Sequence, residues 1–340
     1  MANIEPESGS SVTDASGDDD PVALSAGDPQ ALLMSQVVQE VAEALDQAGV
    51  WFGHGTDNAW DEACWLTSAA LGLPAEQPLL ADKLISSQQR QTIERWLRRR
   101  IQSREPLAYM TGEAWFAGLK FEVNPSVLIP RSPIAELIAD GLTLWPLKAG
   151  DRALDLCTGC GCIAIAMAMR FPDIQVTASD LSPEAVAVAR RNVSAHDLNQ
   201  RCTVVEGHLF EPISGTYQLI ISNPPYVSDA EYGQLPAEYQ HEPGMALRCD
   251  ADGLDLPLKI LHDAPNYLTP NGHLILETGN SAAALETLLS TLLAPLQPAS
   301  AMTWLNFEHG GGGVAAISGR DLVQWRPALA KAIEAMSHVQ

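Results

Sequence analysis

The second half of the chain predicts an α/β fold built on a seven-stranded, mostly parallel, Rossmann-like sheet. Three observations carry that expectation. From residue 150 onward, short apolar runs alternate with segments of helical period, the pattern of strands covered by crossover helices. A glycine turn, Asp155-Leu156-Cys157-Thr158-Gly159-Cys160-Gly161, closes the first apolar run. Further on, the run Tyr217-Gln218-Leu219-Ile220-Ile221-Ser222 ends in Asn223-Pro224-Pro225-Tyr226, where two prolines forbid continuation as helix or sheet.

The elements follow in order. Residues 1–30 are rich in Ser, Gly, Asp and Glu and include Asp18-Asp19-Asp20, which predicts a disordered acidic tail. Residues 31–104 read as a small helical N-terminal domain. Val37, Val38, Val41 and Leu45 recur at helical spacing, as do Ile93, Trp96, Leu97 and Ile101. The turn at residues 53–58 interrupts them, and Asp57 or Asn58 is placed to cap the next helix. Arg95, Arg98, Arg99, Arg100 and Arg104 read as a solvated helix face, with a docking role the lesser alternative. Residues 105–130 read as a β-hairpin connector around Gly118. Over 131–340, strands are expected at 152–157, 174–180, 202–206, 217–222, 272–277, 302–306 and 313–318. Helices are expected at 162–171, 183–196, 255–268 and 281–293. Ser182-Pro183 is an N-cap followed by a first-turn proline.

Composition narrows the function. The chain has 340 residues, 46% hydrophobic, and a net charge of -22. Residues 1–82 hold fifteen Asp or Glu and no Lys or Arg. Such a chain does not bind nucleic acid through a broad electrostatic footprint. It would attract a basic protein, although solubility or salt adaptation explains the charge equally well. No apolar run reaches membrane-spanning length, and the N-terminus has no signal-peptide pattern, so a cytoplasmic protein is expected. Of six cysteines, Cys157, Cys160 and Cys162 sit within the glycine turn. No second ligand pair accompanies them, so no metal is expected.

Parallel sheets bind ligands beyond their strand C-termini, where strand order reverses. Gly159 and Gly161 let backbone approach a ligand closely. Asp180, at the end of the next strand, is placed to accept both hydroxyls of a ribose, or simply to cap its helix. Gly159-x-Gly161-x-x-Ala164 alone fits S-adenosylmethionine or a dinucleotide. The Asn-Pro-Pro-Tyr loop favours the methyl donor. It presents one carboxamide, one proline carbonyl and one aromatic face, which suits a planar amide. The Asn223 oxygen and the Pro224 carbonyl would each accept one amide N–H, since neither can stay unpaired when buried. Tyr226 would pack on the planar group. Positioning of that kind is worth about 7–11 kcal/mol.

These motifs resemble class I S-adenosylmethionine-dependent methyltransferases acting on planar nitrogens, and among them the HemK-like protein glutamine methyltransferase family. Arg104-Glu105-Pro106-Leu107-Ala108-Tyr109, Leu128-Ile129-Pro130-Arg131, Glu242-Pro243, Asp252-Gly253-Leu254 and Glu277-x-Gly279 carry that resemblance. Residues 52–59, Arg131-Ser132-Pro133-Ile134-Ala135-Glu136-Leu137 and residues 235–243 resemble its PrmB type, which methylates a glutamine of the third large-subunit ribosomal protein. The release-factor branch, with Pro-Asp-Thr-Glu after Pro-Arg, is the alternative. The resemblance covers residues 35–325. It implies that Asp155, Cys157, Thr158, Gly159, Cys160 and Gly161 wrap the methyl donor, with Asp180 at the ribose, Leu209 at the adenine and Asn223 touching both ligands. Asn223, Pro224, Pro225 and Tyr226 would hold the glutamine, with Asn223, Pro224 and Tyr226 catalytic. Cys160 stands where Ser or Thr is usual, and His208 where Asp usually precedes the adenine-side residue. The implied partner is a basic ribosomal protein, free before assembly, with no direct DNA binding and no membrane. An adenine methyltransferase, a nicotinamide dehydrogenase and a non-catalytic ribosome-assembly factor are the other readings.

Overall fold

The computed structural model describes residues 30–74, 81–296, 302–308 and 310–337. The acidic tail expected over 1–30 lies outside them, apart from Gln30. Three helices build the N-terminal unit: α1 (Met34–Gln47), α2 (Ala59–Ala70) and α3 (Ser87–Ser103). Val37, Val38, Val41 and Leu45 of α1 meet Leu66 of α2 and Ile93 of α3 in one small core. Asn58 caps α2, its side-chain oxygen accepting from the Asp61 N–H at 2.9 Å. Leu32–Leu33 pairs antiparallel with Leu84–Ile85, a strand pair too short to leave an alternating signature in a helical stretch.

The arginine run is not uniformly solvated as expected. Arg98 and Arg99 are exposed, but Arg100 is buried. It donates to Glu62 Oε1 at 2.6 Å and to Glu238 Oε1 at 3.2 Å. Glu238 lies 138 residues away in sequence, so local pattern could not reveal the pairing. Charge burial needs such partners.

The connector holds one further element. A short helix, Leu107–Thr111, precedes the hairpin of Glu113–Phe116 and Leu119–Glu122.

Seven strands then form one sheet: β1 (Arg152–Leu156), β2 (Gln175–Asp180), β3 (Cys202–Glu206), β4 (Tyr217–Ser222), β5 (Leu268–Glu277), β6 (Thr303–Trp304) and β7 (Val314–Ser318). Their spatial order is β3-β2-β1-β4-β5-β7-β6. The first five run parallel; β7 is antiparallel to β5, and β6 to β7. This is the expected mostly parallel sheet, and its order reverses between β1 and β4. Helices α4 (Cys162–Arg170) and α5 (Pro183–Ala195) cover one face with Leu219, Ile221 and Ile275 beneath them. Helices α6 (Asp255–Asp263), α7 (Ala282–Leu293) and α8 (Gly319–Ser337) cover the other, over Leu154, Ile220 and Leu274.

Two boundaries differ from expectation. A 3-10 turn, Ala264–Asn266, carries Pro265 and ends α6 early, so β5 begins at Leu268. A register shift against β4 follows, between Tyr217 and Leu219. Helix α8 has no counterpart among the expected elements: Pro327 lies inside it, where proline ordinarily breaks a helix. Burial of Leu322, Trp325 and Leu329 against the sheet outweighs that penalty.

Removing one partner of a buried ion pair costs about 3–5 kcal/mol, whereas exposed charges shift stability by roughly 0.5 kcal/mol or less. Arg100→Ala should therefore lower the urea midpoint strongly while Arg98→Ala leaves it nearly unchanged. Paired chemical denaturation curves check this.

Candidate active site

The cleft opens where β1, β2 and β4 end, at the reversal of strand order. The glycine turn enters first. Asp155, at the end of β1, is buried below the turn. Its Oδ2 accepts from the Thr158 hydroxyl at 2.5 Å and from the Ala164 N–H at 3.1 Å. It thereby pins the turn to the start of α4. Burial pushes its carboxyl up to about 7, with these donors opposing. Asn192 of α5 braces the turn from outside. Its amide donates to the Cys160 carbonyl at 2.9 Å and pairs both ways with the Glu122 backbone of the hairpin.

Gly159 sits at φ +57, and a Cβ there would project into open space. It lines the cleft with Cys157, Asp180, Leu209, Asn223 and Pro225. Asp180 orders this rim: Oδ2 accepts from the Gly159 N–H at 2.8 Å and Oδ1 from the Ser182 N–H at 3.0 Å. The helix itself is capped by Ser182, whose hydroxyl accepts from the Ala185 N–H. Burial raises the Asp180 carboxyl against these backbone donors. Carboxylate oxygens carry about two lone-pair sites each, so room remains for hydroxyl donors.

The expected residues therefore divide. Cys157, Gly159, Asp180, Leu209, Asn223 and Pro225 face the cleft. Asp155, Thr158 and Cys160 are buried in the turn behind it, and Gly161 is the N-cap of α4 at φ +86. Pro224 is buried. Tyr226, next to the cleft-lining Pro225, is not itself in the lining; its hydroxyl lies 3.3 Å from Glu277 Oε1. His208, beside Leu209, lines the cleft. Sequence reasoning missed Ser126 and Val127 of the connector and Met245, which close the opposite side. Leu128 and Pro243, also in that wall, lie in stretches that carried the resemblance.

Two ion-pair systems hold the far wall. Arg131 grips Glu242 with both guanidinium nitrogens at 2.7 Å, and Glu242 also accepts from the Ile129 N–H at 3.0 Å. His54, from the N-terminal unit, lies 3.4 Å from its other oxygen. Burial pushes the Glu242 carboxyl up, but Arg131 and His54 outweigh it and hold it at about 2. Glu238 accepts from the Trp51 N–H and from Arg100 and Arg104. Among the described residues no group of His, Cys, Asp and Glu has the geometry to hold a metal. No helix there is long and apolar enough to cross a membrane.

The open backbone cradle at Gly159, the carboxylate of Asp180 and the apolar wall at Leu209 fit a nucleoside-bearing methyl donor. The chain matches the methyltransferase small domain family over residues 138–237 and the PrmC N-terminal domain over residues 36–112. Strand order, cleft and family model together define a class I methyltransferase that uses S-adenosylmethionine. Over 265 residues the chain is 44% identical to the ribosomal protein uL3 glutamine methyltransferase of Bordetella pertussis, across 76% of this chain and 88% of that one. The protein of the same name from Francisella tularensis subsp. tularensis is 39% identical over 287 residues, across 83% and 88%. A methyltransferase of known structure from Pyrococcus furiosus is 24% identical, over 59% of this chain and 89% of that one, at a TM-score of 0.44. The chain belongs to the family of ribosomal protein uL3 glutamine methyltransferases.

A β-branched side chain at Gly159 would occupy the cleft and sit in a left-handed conformation costing about 1–2 kcal/mol. Gly159→Val should weaken S-adenosylhomocysteine binding roughly tenfold or more. Titration calorimetry checks this, with thermal unfolding to show that the variant folds.

Proposed function

We propose that this protein transfers a methyl group from S-adenosylmethionine to the side-chain amide nitrogen of a glutamine in ribosomal protein uL3, taken free before ribosome assembly. The observation that carries the assignment of roles is Asn223. Its side chain lines the same cleft as Gly159 and Asp180, and Pro224 and Pro225 make its loop rigid.

Asp180 would take the ribose hydroxyls, Leu209 would flank the adenine, and the backbone at Gly159 would pass along the donor's amino-acid end. Bound there, the cofactor supplies a methyl carbon on a sulfonium, which keeps the C–S electron pair as a neutral sulfide when that bond breaks. The chain's own groups handle the amide. Its lone pair is delocalised, so its N–H groups need acceptors while positive charge grows on nitrogen. Asn223 Oδ1 and the Pro224 carbonyl would supply them, and Tyr226 would bound the planar group. The new N–C bond leaves one amide proton to be lost to solvent. Asn223, Pro224 and Tyr226 would thus act by acceptance and placement, without a strong base.

Residues 31–104 would dock the substrate. Glu43, Asp46 and Asp57 line a groove beside Phe52 and Trp60 on that unit, a surface suited to a basic protein.

Asn223→Ala should lower kcat about 10²–10³-fold, the usual loss for one group that stabilises developing charge. S-adenosylhomocysteine binding should weaken far less, since Gly159, Asp180 and Leu209 still line the cleft. Intact-mass analysis of uL3, with a release factor as control, measures the transfer: methylation of the release factor alone would overturn the target. Reversing Glu43, Asp46 and Asp57 to Lys should raise KM for uL3, most strongly at low salt. A salt series of initial rates checks this.

A further inference from the structure

Several motifs outside the cleft converge on one side chain. Tyr226 is held from three directions. Its hydroxyl donates to Glu277 Oε1 at 3.3 Å. Its carbonyl accepts from the Ser281 hydroxyl at 2.7 Å. Its ring lies on Gly279, where any Cβ would overlap the ring carbons. Gly279 adopts φ +46, so a side chain there would add backbone strain to the clash. The pair Glu277-x-Gly279 at the end of β5 thus builds a seat for the last residue of the Asn-Pro-Pro-Tyr loop.

The other oxygen of Glu277 reaches a different element. Its Oε2 accepts from the Ser132 hydroxyl at 2.5 Å, and Ser132 Oγ in turn accepts from the Ile134 N–H at 3.2 Å. Ser132 follows Arg131, which Glu242 grips. One buried carboxylate therefore joins the loop to the turn at Arg131.

We infer that Glu277 is a positioning residue for methyl transfer, clamping Tyr226 and Ser132 so that the tyrosine ring is fixed beside the acceptor amide. The inference rests on the proposed placement of the glutamine at Asn223 to Tyr226. Ionisation matters to the clamp. A carboxylate accepts from both hydroxyls at once, whereas a protonated carboxyl places its own proton where one of them donates. Burial pushes the Glu277 carboxyl up to about 7, opposed by Ser132, Tyr226 and the Arg131 cation. Its partner across β7 is Val314, which brings no charge. The clamp therefore closes as pH rises through about 7.

The test measures kcat and KM of the full chain on purified uL3 across about pH 6–8, either side of the clamp's midpoint. The wild type and Glu277→Gln, Tyr226→Phe, Ser132→Ala and the Glu277→Gln/Tyr226→Phe double variant are compared. Glu277→Gln should lower kcat roughly ten- to a hundredfold, leave S-adenosylhomocysteine affinity unchanged and abolish the rise of kcat with pH. Ser132→Ala, a milder change, should lower kcat less and keep the rise. The double variant should lose no more than the worse single one, because both remove one contact. Multiplying losses, or a Glu277→Gln profile matching wild type, would overturn the inference. A second readout needs no substrate. With its folded pKa above the ordinary 4.5, Glu277 makes stability fall as pH rises from 4.5 through about 7, so Glu277→Gln should make Tm fall less steeply with pH over that window, the remaining slope belonging to Asp155. If the wild type leaves uL3 unmethylated, the proposed target fails. The Tm curves then decide the clamp, and identical curves would sink it.

Discussion

The two-pronged ion pair between Arg131 and Glu242 is the constraint on which the site's far wall depends. Glu242 is buried and takes four contacts: two from Arg131, one from the Ile129 N–H and one from His54. These contacts come from the connector's end and from the N-terminal unit, whereas Glu242 itself lies in the excursion between β4 and α6. A buried charge is tolerated only when its hydrogen-bonding capacity is filled. That requirement forces three separated stretches into one register. The cleft wall at Ser126 to Leu128 and at Met245 to Ala246 follows from it, because both segments flank the pair.

Two other buried carboxylates do comparable work at shorter range. Asp155 ties the glycine turn to α4, and Glu277 ties the Asn-Pro-Pro-Tyr loop to the turn at Arg131. Burial raises both toward 7, whereas the cation beside Glu242 drives it down to about 2. The contrast follows from partners rather than depth: hydroxyls and amides satisfy a carboxylate geometrically, but directly paired Arg131, with His54, repays the desolvation of Glu242.

Much of the fold was legible because the relevant signals are local. Alternating apolar runs reported β1 to β4 within a residue or two, and Ser182-Pro183 reported the start of α5. The stiffness of the loop was legible for the same reason, since consecutive prolines restrict backbone wherever they occur. What stayed hidden was orientation and long-range pairing. Asp155 and Asp180 are both acids near strand ends, yet one lies under the turn and the other on the cleft. Arg100 looks like its exposed neighbours until Glu238 arrives from a stretch 138 residues away. Helix α8 was hidden because the packing of Trp325 and Leu329 on the sheet overrides the local cost of Pro327.

The segment at residues 236–243 shows why the two units act together. It offers Glu238 to Arg100, Arg104 and the Trp51 N–H, and Glu242 to Arg131 and His54. Only a few residues separate these contacts, so the N-terminal unit is held at two neighbouring points and its rotation about either one breaks the other. The same segment continues into the wall of the cleft at Pro243 and Met245. A protein docked as proposed on the acidic groove of α1 and α2 would thereby be carried at a set distance from Asn223. Acidic charge would then recruit a basic partner from outside the cleft, where a carboxylate would compete with Asn223 Oδ1 for the amide N–H groups.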